Sequence, residues 1–191
     1  ATASATVASN VITAITLTNA GSGYETSPTI TISAGSGGGS GAVVTYNGED
    51  KKSGGNSNVR YMTRKVTLAD GFDSGDLRVY LTAYKPTDTG IFVYAKYLSS
   101  SDPESWDDKG WTLLTQLGNA NFVSTGPYDY RELTFAPGSS EIADNQITYT
   151  NSAGSSFNTF KTFAIKIVFS GSDKVVVPKV RDLRVIALPA G

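Results

Sequence analysis

Between Val59 and Gln116 the chain reads VRYMTRKVTLADGFDSGDLRVYLTAYKPTDTGIFVYAKYLSSSDPESWDDKGWTLLTQ, three strand-like runs separated by two polar, turn-rich breaks. Leu77, Val79, Leu81 and Ala83 alternate with Arg78, Tyr80, Thr82 and Tyr84. A period of two places those sets on opposite faces of a strand. Ile91 to Leu98 (IFVYAKYL) is apolar at both parities, as a strand covered on both sides requires. Nothing in this stretch carries the i, i+3, i+4, i+7 spacing of an amphipathic helix. The chain is therefore committed to sheets.

The pattern continues to the C-terminus. Trp111, Leu113 and Leu117 extend it, and Leu133 and Phe135 follow in RELTF. Phe163, Ile165, Ile167 and Phe169 form one stripe of a strand whose other stripe is Ala164, Lys166 and Val168. Val180 to Leu188 lies between Pro178 and Pro189. Turn formers separate these runs, which predicts an antiparallel β-sandwich of about seven or eight strands, Ig-like or jelly-roll. Ser101 and Asp102 before Pro103 predict one helical turn over residues 102–107.

Charge divides the chain. From Ala1 to Gly48 the only charged residue is Glu25, and every Lys and Arg lies at Lys51 or later. Residues 1–46 read as a small Gly/Ser/Thr-rich β module with strands at Val11–Leu17, Thr29–Ser33 and Ala42–Tyr46. Residues 47–58 (NGEDKKSGGNSN) hold turn formers and charges with no apolar side chain, and read as a linker. Residues 59–191 form the sandwich. The chain opens at Ala1 and its single methionine is Met62, which reads as a processed or excerpted chain.

Composition narrows the chemistry. There is no cysteine, so disulfides, thiolate zinc sites and Cys nucleophiles are excluded. There is no histidine, which removes the commonest general base and metal ligand. A serine triad has no base, and no G-x-S-x-G elbow is present. The net charge of −1, with no basic stripe, argues against a nucleic-acid partner. No apolar run approaches the length of a membrane-spanning helix.

Four features resemble sites, and each has a simpler reading. Gly37-x-Gly39-x-x-Ala42 matches a loose dinucleotide fingerprint, but a β-like AVVTY follows where a helix N-terminus is needed. Asp70, Asp73 and Asp76 do not have EF-hand spacing and read as a polar turn. Asp102, Glu104, Asp107 and Asp108 read as a solvated loop before a strand. Trp106, Tyr128 and Tyr130 flank loops, where aromatic rings can stack on sugars but more simply cap the sandwich edge, whereas Trp111 opens an alternating run and reads as core. No metal or cofactor is expected.

Three stretches carry a family resemblance: Val59–Pro86, Val93–Trp111 and Phe157–Leu188, with VRYMTRKVTLADGFDSGDLRVYLTAYKP at their head. They resemble virion structural proteins of tailed bacteriophages, especially those of T4-like cyanophages. Trp106 stands where that pattern has a phenylalanine. Ile12–Ala42 is similar to glycine-rich repeats of phage tail fibres and of other large surface proteins. The resemblance implies a non-enzymatic tail, baseplate or fibre component, located in the virion. It would assemble as a homo-oligomer with other phage structural proteins, and no catalytic residue is carried over. The alternative expectation is a carbohydrate-binding module that meets a host-surface glycan through Trp106, Tyr128 and Tyr130. A carboxylate-based depolymerase ranks third, since the chain is short for a long repetitive β-helix.

Overall fold

In a computed structural model, residues 2–8, 11–19, 49–55, 57, 59–119, 121–138, 147–171 and 175–189 are described. The chain divides into two compact units, Ala1–Tyr46 and Asn47–Gly191. In the first, β1 (Thr2–Ala8) and β2 (Val11–Asn19) form an antiparallel pair with irregularities at Thr2/Ala3 and Thr6/Val7. β2 contains the expected Val11–Leu17 run. The runs expected at 29–33 and 42–46, and the glycine fingerprint at 37–42, lie outside the described residues.

The second unit is all-β. Its strands are β3 (Arg60–Met62), β4 (Val66–Thr67), β5 (Ser74–Tyr84), β6 (Thr89–Leu98), β7 (Thr112–Leu113), β8 (Thr115–Leu117), β9 (Arg131–Ala136), β10 (Tyr149–Thr150), β11 (Ser156–Phe157), β12 (Thr162–Gly171) and β13 (Lys179–Pro189). One antiparallel sheet runs β3-β12-β6-β7, with β4 also on β12; the other runs β13-β5-β9-β8, and β10 and β11 form a separate pair. The expected sandwich is present as two packed sheets.

Register explains why the core sits between them. Ile165 lies opposite Ala95 and Ile167 opposite Val93, while Leu81 lies opposite both Leu183 and Leu133. Directly opposed residues share a face. The apolar parity of every long strand therefore converges on one cluster of Leu77, Val79, Leu81, Val93, Phe135, Phe160, Ile165 and Ile167, all fully or almost fully buried. Between β5 and β6 the chain turns through Asp88, whose φ of 58° is a left-handed conformation that Asp tolerates, and Thr89 bonds back to the Pro86 carbonyl from its amide and its hydroxyl.

Two expectations change. The run from Trp111 is not one strand. Leu113 pairs with Tyr94 in the first sheet, Thr115 pairs with Ala136 in the second, and buried Leu114 between them bonds to the Val93 carbonyl. A strand that leaves one sheet for the other makes a corner of the sandwich. The helical turn is a 3-10 turn over Trp106–Asp108, not 102–107. Its N-cap is Ser105, whose hydroxyl accepts from the Asp107 amide. Asp102 caps only the Glu104 amide and is otherwise engaged by long-range partners.

Candidate functional site

The outer face of β12 is where the sequence reading departs most from the structure. Ala164, Lys166 and Val168 share a parity opposite to the core, yet all three are buried. Residues 49–55, expected within a linker, cover Lys166, while Ala164 and Val168 pack with Tyr94 and Trp111. Lys166 is 0% exposed. Its ammonium donates to the Glu49 carbonyl, to Glu49 Oε2 at 3.1 Å and to the Gly54 carbonyl at 3.0 Å. Those three acceptors match the three donors of an ammonium. Ser57 N donates to Glu49 Oε1 at 2.6 Å, and Trp111 N donates to the Asp50 carbonyl at 2.6 Å. Gly55, at φ +83°, lies so close to the Glu49 carboxylate that a Cβ there would meet it at 2.4 Å. The segment is thus built into the sandwich unit.

Aromatic rings and ammonium groups alternate across this face. Lys166 lies 4.5 Å from the Tyr94 ring centroid and 5.2 Å from that of Trp111. Lys96 lies 5.7 Å from Trp111 and 5.2 Å from Trp106, and Lys65 caps Trp106 at 5.8 Å. Electrostatic attraction to the ring faces holds such pairs. Burial pushes the Lys166 ammonium below its ordinary value, with Glu49 opposing, and burial lowers Lys96, with Asp107 and Asp108 opposing. Trp111 is buried, as expected, but in this second cluster with Tyr94, Ala164 and Val168 rather than between the sheets.

The loop before β7 is the second polar centre. Asp102 is buried, contrary to the solvated loop expected there. It is ion-paired with Lys109, which also pairs with Glu104. Tyr149 Oη donates to Asp102 Oδ2 at 2.9 Å, and Asn151 Nδ2 donates to Oδ1 at 3.2 Å. Ser152 donates to Glu104 from its amide, at 2.6 Å, and from its hydroxyl. Burial pushes Asp102 up, but bonds from Lys109, the Glu104 amide, Asn151 and Tyr149 outweigh it and hold the carboxyl below its usual range. Bonds from Lys109 and Ser152 hold Glu104 low as well. Both carboxyls are kept ionised. This pair lacks the split in proton affinity that a glycosidase acid and its partner need.

Asp70, Asp73 and Asp76 do not converge. Asp70 pairs with Lys161, Asp73 accepts from the Ser100 hydroxyl, and buried Asp76 pairs with Arg78 at 3.1 Å. Among the described residues, no group of three or more acidic side chains could hold a metal ion. No helix there is long and apolar enough to cross a membrane.

The three aromatic candidates are distributed over the two sheets. Trp106 is half-buried against the outer cluster of the β12–β6 sheet. Tyr130 is half-buried beside the other sheet, with Tyr84 at 5.8 Å between ring centroids and the Arg181 guanidinium 4.2 Å from its ring. Tyr128 is 88% exposed. It sits on a turn braced by Asp129, which accepts from the Thr125 amide at 3.0 Å and hydroxyl at 3.1 Å and pairs with Arg131 at 3.1 Å.

A cavity of about 320 Å³ opens between the two polar centres, lined by Tyr97, Trp111, Tyr149, Lys109, Asp50 and the threonines 112, 148 and 150. Sequence reasoning missed it, because its walls come from four separate stretches. The one legible signal was the density of Thr and Tyr around residue 149. No protein-family model, curated protein or solved structure matches the chain.

Proposed function

We propose that the chain is a structural component of a bacteriophage virion, in the tail, baseplate or fibre attachment, working through protein–protein interfaces in a symmetric assembly. One observation carries the interface reading. Phe169 N bonds to the Val59 carbonyl, Tyr61 lies opposite Ile167, and Val66 lies opposite Phe163. Phe163 and Ile167 belong to the core cluster and Phe169 packs against it, so Val59, Tyr61 and Val66 project from the core side of their sheet. Yet they are 60%, 54% and 43% exposed. Apolar side chains on the core side of an edge strand, left uncovered, are the kind of surface that subunit contacts bury. The resemblance of residues 59–86, 93–111 and 157–188 to virion proteins supports the same reading and supplies its setting.

Contact with a host-surface glycan is a second reading. The fully presented ring of Tyr128, on a turn stiffened by Asp129, favours it.

The test is incorporation into particles. A tagged chain should appear in purified virions, at symmetric positions of the tail or baseplate in electron-microscopy maps. Tyr61→Asp combined with Val66→Asp should leave unfolding within about 1 kcal/mol of wild type, because the sites are exposed, and should block incorporation. Particles that form normally without the chain at any symmetric position would refute the reading.

A further inference from the structure

We propose that the flank of the sandwich between β3 and β13 takes an extended segment of another protein, apolar on one side and acidic on the other, as an added strand. The proposal deepens the interface reading of Val59, Tyr61 and Val66 and rests on it, but not on the virion setting.

The strand orders bring the two edges together. β7 and β8 adjoin at the corner through Leu114, so the orders β7-β6-β12-β3 and β8-β9-β5-β13 run side by side from that corner. A bridge between Ser74, which opens β5, and Phe160, just before β12, joins the third members of the two orders. β3 and β13 are therefore the two edges of the opposite flank.

That flank is open. Leu183, Val185 and Ala187 lie opposite Leu81, Val79 and Leu77, on the core face of their sheet. The β5 residues are fully buried, whereas those of β13 are only half-buried. On the other edge Val59, Tyr61 and Val66 are exposed. β13 is also long for an edge. It has 11 residues, against two or three in β3, β4, β7 and β8, and among the described residues only β5 pairs with it. Its outer row of N–H and C=O groups is a template for a further strand.

Charge selects the occupant. Residues 59–67 and 175–189 hold six cations, Arg60, Arg64, Lys65, Lys179, Arg181 and Arg184, and one carboxylate, Asp182, in a chain whose net charge is −1. All six cations are exposed, and among the described residues Arg184 alone of them pairs with carboxylates, Glu132 and Asp182. Arg184 and Lys179 lie opposite Tyr80 and Tyr84, on the outer face, so basic and apolar side chains stand on opposite faces of the edge. A second copy would set one basic edge against another, which like-charge repulsion disfavours. The same charges attract a strand with carboxylates on its outer face and apolar side chains turned inward over Tyr61 and Val185. A simple polyanion would meet the charge but leave the apolar side chains uncovered and the backbone row unpaired.

The experiment titrates the full chain with a synthetic peptide of about nine residues alternating glutamate and valine, read by NMR and amide exchange. It should bind saturably, shift Tyr61, and protect every second amide of β13, those not bonded to β5. Replacing its valines by serine, or its glutamates by lysine, should weaken binding by at least about tenfold. Arg64→Glu combined with Arg181→Glu reverses two exposed charges and should weaken it about tenfold, with a melting temperature near that of the wild type. No binding, equal binding of the serine or lysine peptide, inorganic polyphosphate bound as tightly, or unchanged affinity of the charge variant would each overturn the proposal. So would outer-row β13 amides already protected in the free chain, or protected as its concentration rises, since the chain itself would then be the occupant. If Tyr61→Asp with Val66→Asp blocks incorporation while the peptide does not bind, the acidic strand falls and the interface reading stands. Peptide binding by a chain that never enters particles gives the reverse.

Discussion

Replacing Lys166 with methionine should detach residues 49–57 from the sandwich. Methionine retains most of the apolar stem beneath Tyr94 and Trp111 and removes the charge. The Glu49 carboxylate, whose side chain is only 7% exposed, loses the Lys166 ammonium. The Glu49 and Gly54 carbonyls lose a donor each. Removing one member of a buried ion pair costs about 3–5 kcal/mol. For a domain of this size each kcal/mol shifts the melting temperature by roughly 2–4 °C, so the expected fall is roughly 6–20 °C. Guanidinium unfolding followed by tryptophan fluorescence is a selective assay, because both tryptophans, Trp106 and Trp111, lie in the second unit. The midpoint should fall with an unchanged slope. Exchange of the Trp111 amide, bonded to the Asp50 carbonyl, should accelerate. Adding Glu49→Gln to the variant should restore part of the loss, since a neutral amide is less costly to bury than a carboxylate. The pH dependence has a definite sign. Burial holds the Lys166 pKa below its unfolded value of 10.5, so the unfolded chain binds the proton more tightly. Its contribution makes stability rise with pH between the depressed value and 10.5, and Lys166→Met should remove that rise. A variant within about 1 kcal/mol of wild type, with the Trp111 amide still protected, would refute the buried pin.

Asp102 and Glu104 titrate below their unfolded values of 3.8 and 4.5, so the stability they contribute is present above those values and lost as pH falls through the folded ones. Asp102→Asn should cost about 3 kcal/mol at neutral pH and flatten this acid limb, read by melting as a function of pH. At Gly110 a Cβ would meet the Asp50 carbonyl at 2.7 Å, backbone that cannot yield easily. Gly110→Ala should cost about 1–3 kcal/mol by overpacking and expose the Trp111 amide to exchange.

The long strands were legible because a period of two needs only local information. Leu77 to Ala83 and Phe163 to Phe169 each declare a core face, and the doubly apolar IFVYAKYL run does sit inside its sheet, between β12 and β7. The cover over β12 was not legible. Residues 47–58 contain no apolar side chain, so nothing in them signals burial; their anchor, Lys166, lies 117 positions after Glu49. Asp102 misled in the same way, because its partners Tyr149 and Asn151 lie 47 and 49 positions away. Polar burial is specified by pairs, and a pair is visible only when the fold brings its members together. The short strands β3 and β4 were hidden by the break at residues 63–65, where Thr63 bonds to Ile165 through both its amide and its hydroxyl instead of continuing a ladder.

The Lys166 contact also determines how the sandwich carries load. Tension entering the unit from residue 47 meets Glu49 before it reaches β3, and Glu49 is fastened to β12, which is hydrogen-bonded along its whole length to β6. Load reaching Glu49 is therefore shared with an interior strand held by ten residue pairs before it falls on the three-residue edge strand β3. In a chain without cysteine, a buried ammonium serves as the strain relief that a crosslink would otherwise provide.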